Sequence, residues 1–252
     1  MDKKNYKVQS SIAGKQSSKL KRYQQLIIGS EKKSDLIKYE LIMLLCAWIP
    51  GALGIFLRSK LYPLLLGKCG RGVVFGSNIV LRHPRKIYIG DNCIIDDNVM
   101  IDAKGSNNNI ILEDEVFIGR NSILSCKDGN ILMKDRANVG FNCEIFSSNY
   151  VEIGEDTLIA AYSYIVGGGN YKLDDLNIPI NQQYDYEGKG GIVTDKNVWI
   201  GAHCVILDGV KIGFGSVVAA GAVVSKSIPS MSIAAGIPAK VVKSRLETIK
   251  QN

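Results

Sequence analysis

The sequence predicts an all-β solenoid of about six coils, preceded by a helical extension and closed by a short C-terminal helix. Three observations predict it. Aliphatic residues recur in steps of six, in runs of three steps; small or turn-forming residues recur between them; and the first 69 residues differ in charge and hydropathy from the rest. The runs are Ile89-Ile95-Ile101, Leu112-Ile118-Leu124, Met133-Val139-Ile145, Ile153-Ile159-Ile165, Thr194-Ile200-Ile206 and Ile212-Val218-Val224, with Thr194 the single departure from the aliphatic rule. A period of six fits neither the 3.6 of a helix nor the 2 of an ordinary strand. It fits a triangular coil in which each side is one short strand with one aliphatic side chain pointing inward, so three steps close one coil.

Residues 1–35 carry nine Lys or Arg and three acidic residues, a net of +6 out of +7 for the whole chain, and read as a basic, mobile arm. Residues 36–69 read as an apolar helical segment. Its run Leu41–Leu57 is uncharged, but Pro50-Gly51 and Gly54 make it too short and broken to cross a bilayer. Two compatible readings follow. The helices cap the open end that a solenoid exposes, or, behind a basic arm, they lie in a membrane interface.

Residues 70–232 hold the repeat. Ile118-Gly119-Arg120-Asn121-Ser122-Ile123 and Ile212-Gly213-Phe214-Gly215-Ser216-Val217 show its usual order. Small residues such as Cys93, Ser122, Ala137, Cys143, Thr157, Ser163, Cys204, Ser216 and Ala222 suit a second, tighter inward position. Gly, Asn and Asp suit corners because they tolerate positive φ. Extra residues at Lys104–Ile111 and Lys127–Leu132 should loop out at corners, and a longer interruption spans 167–191. Residues 233–252 form a tail.

Several function classes are poorly served. The six cysteines form no CxxC pair and three sit at small inward positions, so they read as buried reduced thiols rather than disulfides or a zinc site. The first 25 residues lack the apolar stretch of a cleavable signal, which points to a cytoplasmic protein, peripheral on the inner face of the membrane if the helices touch lipid. No basic face runs along the repeat and no aromatics interleave with the lysines, so nucleic acid is not expected as a partner.

Val198-Trp199-Ile200-Gly201-Ala202, Gly209-Val210-Lys211-Ile212-Gly213 and Ala235-Gly236-Ile237-Pro238-Ala239-Lys240 complete the picture. With them, residues 70 to 245 resemble the hexapeptide-repeat acyltransferases, which fold as left-handed parallel β-helices, and are most similar to bacterial sugar O-acetyltransferases of polysaccharide and galactoside type. The resemblance implies a homotrimer, acetyl-CoA as donor substrate in a groove between subunits, a sugar or lipid-linked glycan acceptor, and no metal.

Acyl transfer from a thioester to a hydroxyl needs a proton acceptor, donors for the developing oxyanion and a donor held in line. In relatives a histidine on the interrupting loop takes the proton. Here the loop reads Asn170-Tyr171-Lys172-Leu173-Asp174-Asp175-Leu176-Asn177-Ile178-Pro179-Ile180, and Tyr171 or Asn170 stands in the histidine's place. A tyrosine near its ordinary pKa of about 10 is a weak base at neutral pH. Four readings stay open: Tyr171, Asp174 and Asp175 shape an acceptor site; another residue is the base; the acceptor is an amine that needs less help; or activity is lost and the β-helix is a scaffold. The two histidines of the chain are candidate replacements. His83 precedes a proline in a turn, far in sequence from the loop. His203 occupies a corner position and equally reads as a left-handed backbone residue.

On the donor side the resemblance implies Ala202, Ala220 and Ser225 along the pantetheine arm, and Lys226, Lys240 and Lys243 at the nucleotide phosphates. The plain alternatives are tight-corner alanines and ordinary surface lysines. A metal-dependent β-helix enzyme would need three histidines in one site, and the chain has two.

Overall fold

The computed structural model describes residues 18–169, 173–180, 183 and 188–249. Residues 68–244 form the expected left-handed parallel β-helix with three flat faces. The first face stacks seven parallel strands from Lys68–Cys69 to Lys211–Ile212, and the third stacks seven from Val80–Arg82 to Val223–Val224. The second runs from Val74–Phe75 to Val217–Val218, then adds Ser232–Gly236 and the antiparallel Ala239–Ser244.

Each six-step triplet places one member on each face, and all eighteen are at most 1% exposed. At roughly 1.5–3 kcal/mol for each large aliphatic side chain buried, this inward column drives folding. The coil count differs from the expected six. Cys69, Phe75 and Leu81 pair with Ile89, Ile95 and Ile101, forming an earlier coil whose cysteine and phenylalanine hide it from an aliphatic pattern. Ile228 and Ala234 start a further coil on Ile212 and Val218, giving seven complete coils and part of an eighth.

Corners are built as anticipated. Asn78, Asn92, Asn98, Asn121, Asn142 and Asn197 take φ between +53° and +60°. The small inward hydroxyls are satisfied by carbonyls of the next coil: Ser122 Oγ donates to Gly140 O (2.9 Å), Ser163 Oγ to Gly201 O (3.0 Å) and Ser216 Oγ to Pro229 O (2.7 Å). A buried donor left unmade would cost about 1–3 kcal/mol. The first corner insertion leaves the repeat after Met100–Asp102 and returns at Ile110–Leu112. The second covers 127–129 alone, because Ile131 is a fully buried inward residue and holds Asn130–Met133 in the strand.

Of the basic arm expected over 1–35, residues 1–17 lie outside the described residues, while Lys19–Tyr23 is helical (α1) and runs on as a π-helical turn through Ile28. Two longer helices follow, α2 (Lys33–Cys46) and α3 (Gly51–Leu61). They cover the first coil. Tyr62 meets Phe75 edge-on at 5.3 Å, and Tyr39 donates its hydroxyl to Leu81 O at 2.9 Å. Arg58, 1% exposed, donates to Phe75 O, Cys46 O and Ile49 O at 2.9, 2.9 and 2.6 Å. Gly54 is required by this packing, since a Cβ there would stand 1.8 Å from Ile49 O. A short helix α4 (Arg245–Ile249) ends the described chain.

Candidate functional site

The third-face strand Tyr164–Gly167 leaves the solenoid, and the chain re-enters the first face at Ile192–Thr194. Gly168, Gly169, Gly190 and Gly191 take φ of 118°, 85°, 103° and 83° at these two ends. A Cβ on Gly168 would meet Ser148 Oγ at 2.1 Å and one on Gly191 would meet Tyr150 O at 2.1 Å, so both limbs lie hard against the coil below. Asp208 anchors the returning limb. Its carboxylate, 8% exposed, accepts from Lys189 N–H (2.7 Å) and Gly191 N–H (2.9 Å).

Within the loop, Gln183 is buried and braces the bend around Asp175. Its Nε2 donates to Asp175 O (2.6 Å) and Ile178 O (2.8 Å), while its Oε1 accepts from Asp175 N–H (3.2 Å). The Asp175 carboxylate accepts from Asn177 N–H at 2.8 Å, a local turn bond. Asp174 and Asp175 are both exposed, as are Leu173, Leu176, Ile178 and Ile180. Leu176, 95% exposed, is an apolar tip of the described part of the loop. Asn170 and Tyr171, the residues read in the histidine's place, lie outside the described residues.

The two histidines are apart from this loop. His83 is buried beside α1 in the first coil, with Nε2 2.8 Å from Gln25 O and Nδ1 3.3 Å from Ala103 O. Both ring nitrogens therefore face carbonyls, and about four coils, roughly 19 Å at 4.8 Å per strand, separate His83 from the loop. Within this chain His83 therefore joins the cap to the first coil, and a part in proton transfer would require the site of a neighbouring chain. His203 takes φ 56° at the corner between the second and third faces, with its ring stacked on Tyr162 (centroids 5.0 Å, 4° between planes). The loop springs from the next corner, between the third and first faces, so His203 and the root of the loop stand at different corners of the coil.

The donor-side residues fall into two groups. Ala202 and Ala220 occupy one corner in successive coils, where Gly201 leaves only 2.6 Å between a built Cβ and Ala220 N. Lys240 and Lys243 lie on the antiparallel edge strand of the adjoining second face, opposite Ala235 and Ile233. Ser225 and Lys226 follow the third-face strand Val223–Val224 and are exposed at the other corner, the one that carries the loop. Asp208 holds the corresponding place one coil earlier.

Asp208, Tyr162 and Gln183 escaped the sequence reading. Tyr162 had a signal, an aromatic residue at a corner that carries Asn78, Asn98, Asn121 and Asn142 in the four coils before it. Burial pushes all six thiols above their ordinary range, which leaves none suited to carry an acyl group. Among the described residues no group of three or more His, Cys, Asp or Glu side chains converges to hold a metal.

Residues 191–226 match the family described as bacterial transferase hexapeptide (six repeats). The chain is 37% identical over 106 residues to the galactoside O-acetyltransferase of Escherichia coli, across 41% of this chain and 48% of that protein. Among solved structures it is similar to the polysialic acid O-acetyltransferase OatWY, with TM-score 0.54, 25% identity, and coverage of 70% of this chain and 81% of that one. The same fold occurs in AntD, an N-acyltransferase from Bacillus cereus solved with dTDP and 3-hydroxybutyryl-CoA (TM-score 0.50, 20% identity, 82% and 96% coverage). The chain spans about half the length of the curated relatives it matches. It carries the hexapeptide repeat, and its resemblance to the hexapeptide-repeat acyltransferases holds.

Proposed function

We propose that this chain is an acyl-CoA-dependent O-acetyltransferase that acetylates a sugar or glycan precursor in polysaccharide synthesis, and that it works as a homotrimer. The observation that carries this reading is the loop of 168–191, held at both ends by glycines and at its returning limb by Asp208. A merely decorative insertion would not need a buried carboxylate at its root. The galactoside and polysialic acid enzymes support a sugar hydroxyl as acceptor, and the CoA thioester bound by AntD supports the donor.

In the proposed reaction the acceptor oxygen attacks the thioester carbonyl, a C–O bond forms, the C–S bond breaks, and the acceptor's proton ends on the CoA thiol. Asp174 and Asp175, exposed beside the bend, would orient the acceptor. Ala202 and Ala220 would let the pantetheine arm approach the wall, with Lys240 and Lys243 at the nucleotide phosphates. Ser225 and Lys226 share the loop's corner, so they suit the reacting end of the donor or the acceptor better than the nucleotide. Two separate corners thus carry the parts, and two neighbouring subunits of a trimer would bring them together. The exposed Leu173, Leu176 and Ile178 suit such a boundary.

One observation favours a second reading, a ligand-binding scaffold without turnover: neither Asn170 nor Tyr171 is a strong base. Titration calorimetry with acetyl-CoA separates the two. Micromolar binding that weakens in a Lys240→Ala, Lys243→Ala variant supports the donor site, whereas no heat from folded protein leaves the scaffold reading ahead. Acetyl transfer raised by Tyr171→His would assign the base position to this loop.

A further inference from the structure

We propose that the outward face of the helical cap is a docking surface for an anionic lipid bilayer. Helix α2 buries Tyr39, Ile42 and Cys46 against the first coil, so its other side should be polar in a helix that meets only water. It is not. Leu41, Leu44 and Leu45 are 52%, 69% and 57% exposed, and Trp48 in the turn and Leu53 and Phe56 on α3, the helix that packs on α2, are exposed at 64%, 62% and 58%. An apolar patch of this kind marks a contact surface. No helix among the described residues is long and apolar enough to cross a membrane, so the surface would lie in the interface rather than span it.

Charge selects the occupant. Residues 18–67 hold eight basic and three acidic side chains, a net of +5, while residues 68–252 sum to −1. The three acids are already engaged, Glu31 with Lys21, Asp35 with Arg85 and Glu40 with the Tyr23 hydroxyl. Lys32 and Lys33 at the start of α2 and Lys60 in the last turn of α3 are exposed on the same helices. Two copies meeting cap to cap would oppose like charges. A surface of negative headgroups would instead be attracted to the lysines as the leucines, Trp48 and Phe56 enter the boundary with the acyl chains.

The test is flotation of the full chain with vesicles of phosphatidylcholine alone and of phosphatidylcholine with phosphatidylglycerol. Trp48 emission is followed in a Trp199→Phe background, which leaves Trp48 the sole tryptophan of the chain. The expected result is co-flotation with the anionic vesicles, a blue shift of Trp48, and loss of both in Leu44→Ser, Leu45→Ser, whose positions are too exposed to be needed for folding. Lys32→Gln with Lys33→Gln should weaken anionic-vesicle binding roughly tenfold or more, with added salt doing the same. Three outcomes overturn the proposal: folded protein that floats with neither vesicle, flotation unchanged by the leucine variant, or end-to-end self-association that the leucine variant abolishes.

Discussion

Arg58 is a buried cation whose guanidinium fork is matched to three backbone carbonyls, two from the chain leaving α2 and one from the first coil's second-face strand. Its contribution is therefore orientation of the cap. Arg58→Met keeps the stem and strands the carbonyls, and should lower stability by about 3 kcal/mol, read as a fall in the urea midpoint. Arg58→Lys, with one point charge in place of a fork, should recover only part of that loss. The thiols set a pH limit. Burial raises Cys69 to about 11 and Cys126 to about 12, whereas the unfolded chain releases these protons near 8.5. The folded state thus holds more protons above that pH, and stability should be complete below about 8.5 and fall as pH rises toward 12. Urea midpoints at pH 7, 9 and 10 check the sign, and a rise with pH would contradict it.

At the scale of the element, the interrupting loop is legible as a break in period and its architecture is not. Asp208→Ala should release the returning limb, lowering acetyl transfer at saturating substrate more than it lowers the melting temperature. Asp208→Asn, which keeps one acceptor oxygen, should restore part of the activity, and an equal fall in both readouts would reduce Asp208 to a plain structural residue. In sequence Leu207-Asp208-Gly209 looks like one more solvated corner, because nothing local says that the amides of Lys189 and Gly191 return to it. The six triplets were readable because the narrow interior is filled almost wholly by aliphatic side chains. The coil of Cys69, Phe75 and Leu81 was not, because the cap packs on it and admits an aromatic ring. The donor residues show the opposite failure. Ala202 and Ala220 stand two places after second-face aliphatics, Lys226 two places after a third-face one, so their different corners follow from counting by six, yet resemblance alone grouped them.

For the whole molecule, the solenoid works as a spacer between its two ends. The cap sits at the first coil and the loop leaves from the fifth, so the proposed reaction would take place on the order of 20 Å from the capped end, at about 4.8 Å per coil. If the cap docks on lipid, the acceptor reached would be a sugar held well away from its anchor, not one beside it. The step from Thr194-Ile200-Ile206 to Ile212-Val218-Val224 is a clean eighteen residues. Inserting a copy of residues 195–212 directly after Ile212 should add one storey, keep every inward residue inward and leave a cooperative transition by circular dichroism. A single residue inserted within the strand Tyr150–Ile153, between Val151 and Glu152, should instead turn side chains to the wrong side and lower the transition midpoint. This molecule can therefore change length only in whole turns, as a staircase does, and its height above a surface would be inherited in discrete sizes.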